Sequence, residues 1–334
     1  MKYILVFALI FVINDLSAQI PRSSYHIKNR TIVTNIDHKL TKMVIVMPLA
    51  QTDQYQTVSH VNLNGGELVK VPDSEDAYIR WTMTSDLPSY NQSKEIYYDF
   101  DITINKFQFD FDQVTTIYPY DKNSDIYRWY TGKSGRYVDP GDSIIVETGN
   151  RIWEISTDVL DYARKCYEYV AANFKYLNPL TGLHPLPELL RNGGGDCGNL
   201  SSIFISLLRY KGIPARHIVT VRPNGTYHVW ADFYLEKYGW VPVDVTYKNS
   251  NPRGDYFGKF DGNGIVMTKN VSLRIDKGNG ELFTSSILQN YNWWIWYDSG
   301  SEFNLKHRLS ATRNPMNTEE QMISVKQTAE SSVP

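Results

Sequence analysis

Apolar residues follow two rhythms along this chain, and the change from one to the other divides it. From residue 24 to about residue 120 the rhythm is that of strands. Residues 43–47 form a short apolar run, and residues 77–84 alternate aromatic or apolar with polar side chains. Within residues 95–112, Ile96, Tyr98, Phe100, Ile102 and Ile104 share one face, after which the phase slips to Phe107, Phe109 and Phe111. Such a slip implies a bulge or a turn at Asn105-Lys106. Turn residues such as Asn64-Gly65-Gly66 and Pro72-Asp73 separate the runs, and no helical pattern of useful length interrupts them. The expectation is a β-sandwich of about seven strands.

A polar, Gly- and Asp-rich connector at 121–150 precedes the helical rhythm. Leu160, Ala163, Tyr167, Val170 and Phe174 predict a helix over 157–175, with Cys166 on the flank of its stripe as a packed thiol. A second helix starts after Gly193-Gly194-Gly195-Asp196. Its Leu200, Ile203, Phe204, Leu207 and Leu208 make a buried stripe, and Gly212 and Pro214 end it. Asp196 takes the N-cap position and Cys197 the first turn. Strand patterns follow at 217–221, 227–235 and 240–246, with a late aromatic strand at 291–297. Residues 311–334 are polar and without periodicity, the mark of a loose tail.

The first residues bear on the compartment. Lys2 precedes an apolar run over 3–13 that breaks at Asn14-Asp15, and Ser17-Ala18 offers small residues before Gln19. This is the layout of a cleaved signal peptide over 1–18, and the run is too short to span a bilayer. No cysteine near the cut suggests a lipid anchor, so a secreted or periplasmic protein is expected. The domains then read as a β-sandwich over 19–125, a catalytic domain with its connector over 126–265, and a C-terminal extension with the tail over 266–334. In a chain of 334 residues with a net charge of -2, nothing suggests a nucleic-acid partner. Only Cys166 and Cys197 carry thiols, which leaves no cysteine-built zinc site; a disulfide between them is the bland alternative.

The chemistry concentrates on Cys197. A thiol attacks only as thiolate, and a helix N-terminus favours an anion. Glycines before it let backbone or substrate come close, and its own N–H can serve an oxyanion. His228 lies on the predicted strand with Trp230, Asp232 and Tyr234, opposite the apolar row of Val229, Ala231, Phe233 and Leu235. Asp244 interrupts the row Val241, Val243 and Val245 on the next strand, and a hairpin centred near Glu236 brings it beside His228. A bulge at 237–239 would shift that pairing by one residue. Taken singly, each has a structural alternative: a hydrogen-bonding His, a surface Asp, a loop of glycines.

Gly195-Asp196-Cys197, followed by Leu207-Leu208-Arg209-Tyr210-Lys211-Gly212-Ile213-Pro214-Ala215-Arg216, resembles the nucleophile segment of the transglutaminase-like superfamily. His228-Val229-Trp230 resembles its histidine motif, and the stretch from Gly239 to Thr246 its aspartate motif. The resemblance implies an α+β fold: a papain-like core, with the helix of the Cys packed on an antiparallel sheet, behind the N-terminal β-sandwich. It implies Cys197 as nucleophile, His228 as acid/base and Asp244 as orienting carboxylate, supported by Asp196, Gly195, Trp230 and Arg216. No calcium-ligand cluster or paired-cysteine zinc site is seen, so neither a metal nor a cofactor is implied. A second oxyanion donor stays open among Tyr176, Asn178 and His184. The expected reaction is attack on an amide to give a thioester in a protein or peptide substrate, possible glycan-linked ones included. Water as acceptor makes a cysteine peptidase or amidase, a lysine amine a cross-linking transamidase, and a silent site a glycan- or protein-binding module.

Overall fold

The computed structural model describes residues 23–37, 39–177, 182–298 and 303–313. The expected signal peptide at 1–18 and residues 314–334 of the expected tail lie outside them. Six strands come first: β1 (Ser23–Asn35), β2 (Leu40–Pro48), β3 (Gln56–Asn62), β4 (Glu67–Lys70), β5 (Ala77–Met83) and β6 (Ser93–Ile104). β6 stops where the phase slips, and β7 (Phe107–Gln108) leaves to pair elsewhere. Then follow α1 (Asp125–Tyr130), α2 (Ser143–Glu154), α3 (Val159–Asn173), β8 (Lys175–Tyr176), α4 (Leu186–Asn192), β9 (Gly194–Gly195) and α5 (Cys197–Tyr210). β10 (Ala215–Val221), β11 (Tyr227–Leu235), β12 (Gly239–Val243), α6 (Val245–Ser250), β13 (Lys259–Phe260) and β14 (Ile265–Thr268) come next. The chain continues through β15 (Leu273–Asp276), β16 (Leu282–Ser285), β17 (Asn292–Tyr297) and β18 (Phe303–Arg313).

The sandwich has two antiparallel four-stranded sheets, ordered β18-β1-β6-β3 and β17-β2-β5-β4. The N-terminal region thus supplies six strands, and two come from the far end of the chain. Residues 311–313, expected in the loose tail, are strand: Ala311 pairs with Ile27 and Arg313 with Tyr25. The signal was present in the alternation of Phe303, Leu305, Leu309 and Ala311, broken by His307. The connector also holds more order than its polarity suggests. α2 is capped by Asp142, whose Oδ1 accepts from Ile144 N–H at 2.9 Å. Its buried stripe runs Ile145, Gly149, Ile152, and a Cβ at Gly149 would come within 2.6 Å of the Tyr210 ring. The glycine that lets the helix dock hides it from an apolar pattern.

A third sheet, ordered β12-β11-β10-β14, joins the two halves. One face of it, with Ala231, Phe233, Leu235, Val241 and Val243, packs on α5 within the helical core. The other, with Ile218, Trp230, Ile265 and Met267, shares the core of the sandwich. Both faces of β11 are therefore buried, and its polar even-numbered positions need partners. Fold class is thus α+β, a β-sandwich packed against a core in which the helix of Cys197 lies on an antiparallel sheet.

Candidate active site

The start of α5 is built by close backbone contact. β9 pairs in parallel with β8, Lys175 opposite Gly194 and Tyr176 opposite Gly195. Gly194 has φ +147°, and a Cβ there would lie 2.0 Å from the Lys175 carbonyl oxygen. Gly194 thus admits protein backbone, Gly195 makes room for the Asn199 side chain, and the two set the chain just before Cys197. Asp196 caps α5, its Oδ1 accepting from Asn199 N–H at 3.1 Å and its Oδ2 from Gly182 N–H at 3.0 Å. Fully buried Asn199 donates to Asp196 Oδ1 and to Gly182 O, and accepts from His184 N–H. Together they tie the loop at 182–184 to the helix start. Burial pushes the Asp196 carboxyl up, against the pull of the N–H groups it accepts from. We expect Gly194→Ala to cost at least about 2 kcal/mol and to reduce Cys197 labelling, read by chemical denaturation and mass spectrometry. Gly193→Ala, at φ +69° with open space around it, is the control and should cost about 1 kcal/mol.

Cys197 and Cys166 are both free, so the disulfide alternative is not realised. Cys166 is buried in α3, and burial pushes its thiol up; Cys197 is half-exposed.

His228 stands in β11 on the face of Trp230 and Asp232. The strand expected over 240–246 ends at Val243, because Asp244 turns the chain into α6 as its N-cap. Asp244 Oδ1 accepts from Tyr247 N–H at 2.9 Å, while Oδ2 lies 2.5 Å from His228 Nε2. Leu235 pairs with Gly239, so the hairpin centres on Lys237 rather than Glu236, with Lys237 at φ +69°. That one-residue shift keeps Asp244 on the His228 face, diagonal rather than opposite. Both side chains are buried. With Nε2 turned to Asp244, Nδ1 is left on the other side of the ring, and Cys197 lies near enough to add to the rise in the pKa of the imidazole. Burial disfavours the imidazolium, but the Asp244 charge and hydrogen bond, aided by Cys197, outweigh it and push the ring up to about 10. A proton held on an imidazole beside a thiol at a helix start is the equipment of nucleophilic acyl transfer.

Residues 147–245, which include all three side chains, match the core model of the Transglutaminase-like superfamily. Over that stretch, about 30% of the chain, the sequence is similar to a transglutaminase-like core. A candidate cysteine protease from Cytophaga hutchinsonii has a similar fold, at TM-score 0.57 and 13% identity, covering 90% of this chain and 94% of that one. The periplasmic domain of TgpA from Pseudomonas aeruginosa aligns at TM-score 0.37 and 13% identity, over 71% of this chain and 93% of its own. An uncharacterized protein of Haemophilus influenzae is 28% identical over 132 residues, 31% of this chain. That stretch spans 36% of the length of the Haemophilus protein.

Within the matched stretch, Trp230 and Arg216 pack and pin the sheet that carries His228. Trp230 stacks on Phe260 at 4.8 Å and meets the Tyr55 ring edge-on, with its centroid 6.2 Å from that of His228. Arg216 donates to Asp232 at 3.1 Å and to Glu75 at 2.7 Å, and lies 3.7 Å over the Trp240 ring. The sequence placed Asp232 on the His228 face but gave no partner for it; Tyr55, which donates to it at 2.6 Å, was not singled out. Of the three oxyanion candidates, Asn178 lies outside the described residues. His184 turns towards Glu188 at 3.8 Å, while Tyr176 is close enough to Cys197 and Asp196 for their charges to add to the burial that raises its phenol. Among the described residues no helix is long and apolar enough to cross a membrane, and no group of His, Cys, Asp and Glu is arranged to hold a metal ion.

Proposed function

We propose that this protein is an exported cysteine hydrolase that opens an amide bond in a protein or peptide through a thioester on Cys197. The observation that carries the reading is the bond from Asp244 Oδ2 to His228 Nε2, which leaves the other ring nitrogen to a half-exposed thiol at the start of α5. In the first step the Cys197 sulfur bonds to the carbonyl carbon, and the electron pair moves to the oxygen. The Cys197 N–H and, as second donor, the Tyr176 hydroxyl receive that oxyanion. Collapse breaks the C–N bond, and His228 gives its proton to the departing amine. Water then attacks the thioester, His228 takes one of its protons, and the acid leaves with the thiolate restored. Asp244 holds the imidazole in one orientation throughout. Asp196 and Gly195 set the helix start, and Arg216 and Trp230 brace the sheet behind His228.

Hydrolysis is preferred over amine transfer because the similar Cytophaga structure is described as a candidate protease, and export because residues 1–18 read as a signal peptide. The test is incubation with casein and a fluorescent primary amine, with Cys197→Ala as control. New peptide N-termini that disappear in the control are expected by mass spectrometry. Fluorescence incorporated into casein without new termini would overturn the hydrolase reading in favour of a transamidase.

A further inference from the structure

The residue that follows the aspartate motif is Tyr247, in the first turn of α6. Its ring lies parallel to that of His228, with centroids 4.9 Å apart and planes at 15°. Its N–H is the group that Asp244 caps. Its phenolic oxygen is tethered too: Arg222 donates to it, and Asn263 Nδ2 approaches to 3.4 Å. The Tyr256 ring meets that of Tyr247 at 5.3 Å, tilted by 59°. His228 is therefore flanked by two aromatic residues, Tyr247 stacked on one side and Trp230 tilted at 35°. The tether through Arg222 comes from the segment between β10 and β11, so the stack is anchored from two separate elements.

We propose that Tyr247 is a positioning residue for His228: its stacked ring fixes the plane in which Nε2 meets Asp244, and its π face stabilises the imidazolium. This rests on the reading of Cys197, His228 and Asp244 as one catalytic unit. A cation against an aromatic face gains from about 0.5 kcal/mol at an exposed site to about 2 kcal/mol when desolvated, equivalent to roughly a 2- to 30-fold change in proton affinity. The charged and titratable groups facing the pair are Asp244 and Cys197 on His228, and Arg222 on Tyr247. Lys259, Tyr256 and Asp261 complete the narrow pocket beside them. Asp244 draws the proton to His228, and Tyr247 keeps the ring where that attraction works.

The experiment is a titration of the His228 ring by NMR in protein labelled at histidine carbons, run on the wild type, Tyr247→Phe and Tyr247→Leu, with melting curves to verify folding. Phe keeps the stack and loses the tether; Leu loses both. The Leu variant is expected to titrate about one pH unit lower than wild type, with Phe close to wild type. Equal titration in wild type and Leu overturns the proposal, as do equal displacements in Phe and Leu, which would credit the Arg222 tether instead. Because the ring is observed directly, this result stands whether or not Cys197 turns over a substrate. A wild-type thiol that labels like an ordinary cysteine would sink the catalytic reading, and it would leave the ring titration to be judged separately.

Discussion

Iodoacetamide is expected to label Cys197 at pH 6 within a few-fold of its rate at pH 8, and His228→Ala to lower the pH 6 rate by about two orders of magnitude. An ordinary thiol with pKa near 8.5 is roughly 75-fold less ionised at pH 6 than at pH 8, which sets the scale of the contrast. Here the imidazolium supplies the difference, since Asp244 overcomes the cost of burial and pushes His228 up to about 10. The sign follows from that direction. The folded pKa lies above the usual value of 6.5, so the charged ring favours the folded state fully below 6.5 and loses that effect as pH rises through about 10. In the proposed reaction the leaving amine takes the same proton, so turnover should fall over the same alkaline range. Buried Cys166 does not compete for the reagent. A labelling rate that drops about 75-fold between pH 8 and pH 6 would show Cys197 to be an unassisted thiol.

Replacing Arg216 by Met is expected to cost about 3–5 kcal/mol of folding stability, measured by denaturant unfolding. The guanidinium is buried, and so is Asp232, which would keep only neutral donors: the Tyr55 hydroxyl at 2.6 Å and the Trp230 indole N–H at 3.3 Å. Breaking one side of a buried pair leaves a charge with no compensation, which costs far more than the pair itself contributed. Burial already pushes the Asp232 carboxyl up. Without Arg216 it should take a proton more readily still, so the loss should shrink as the pH falls. Arg216 also reaches Glu75 between β4 and β5, and Lys269 lies 3.4 Å from Asp53 and 3.6 Å from Glu75. These charges join the sandwich to the sheet that carries His228. A loss below about 1 kcal/mol, or one independent of pH, would mean that water screens this cluster.

Much of the site was legible because its determinants are local. The stripe from Leu200 to Leu208, the cap at Asp196 and the stop at Gly212 act within a few residues of one another, so they mark α5 and put Cys197 at its start. The alternation in β11 likewise put His228 and Trp230 on one face. The exact place of Asp244 was less legible. Alternating valines read as a continuing strand, while the Asp carboxylate bonds Tyr247 N–H and begins a helix; local hydrogen bonding overrode strand periodicity. The expected hairpin was off by one residue for a related reason, since a turn through Lys237 at positive φ lengthens the loop without disturbing side-chain parity.

The sequence by itself determined the periodicity of each element, the helix start at Cys197 and the order in which thiol, imidazole and carboxylate follow. Only the tertiary structure decided which strands complete the sandwich, since β1 pairs with β18 across nearly the whole described chain. It also decided that Tyr55 and Glu75 of the first half satisfy Asp232 and Arg216, and that the Tyr247 ring lies on His228. The physical reason is separation. Propensity, capping and alternation are fixed by neighbours along the chain, whereas buried charges and stacked rings find partners by proximity in the folded core, which a periodic pattern does not encode.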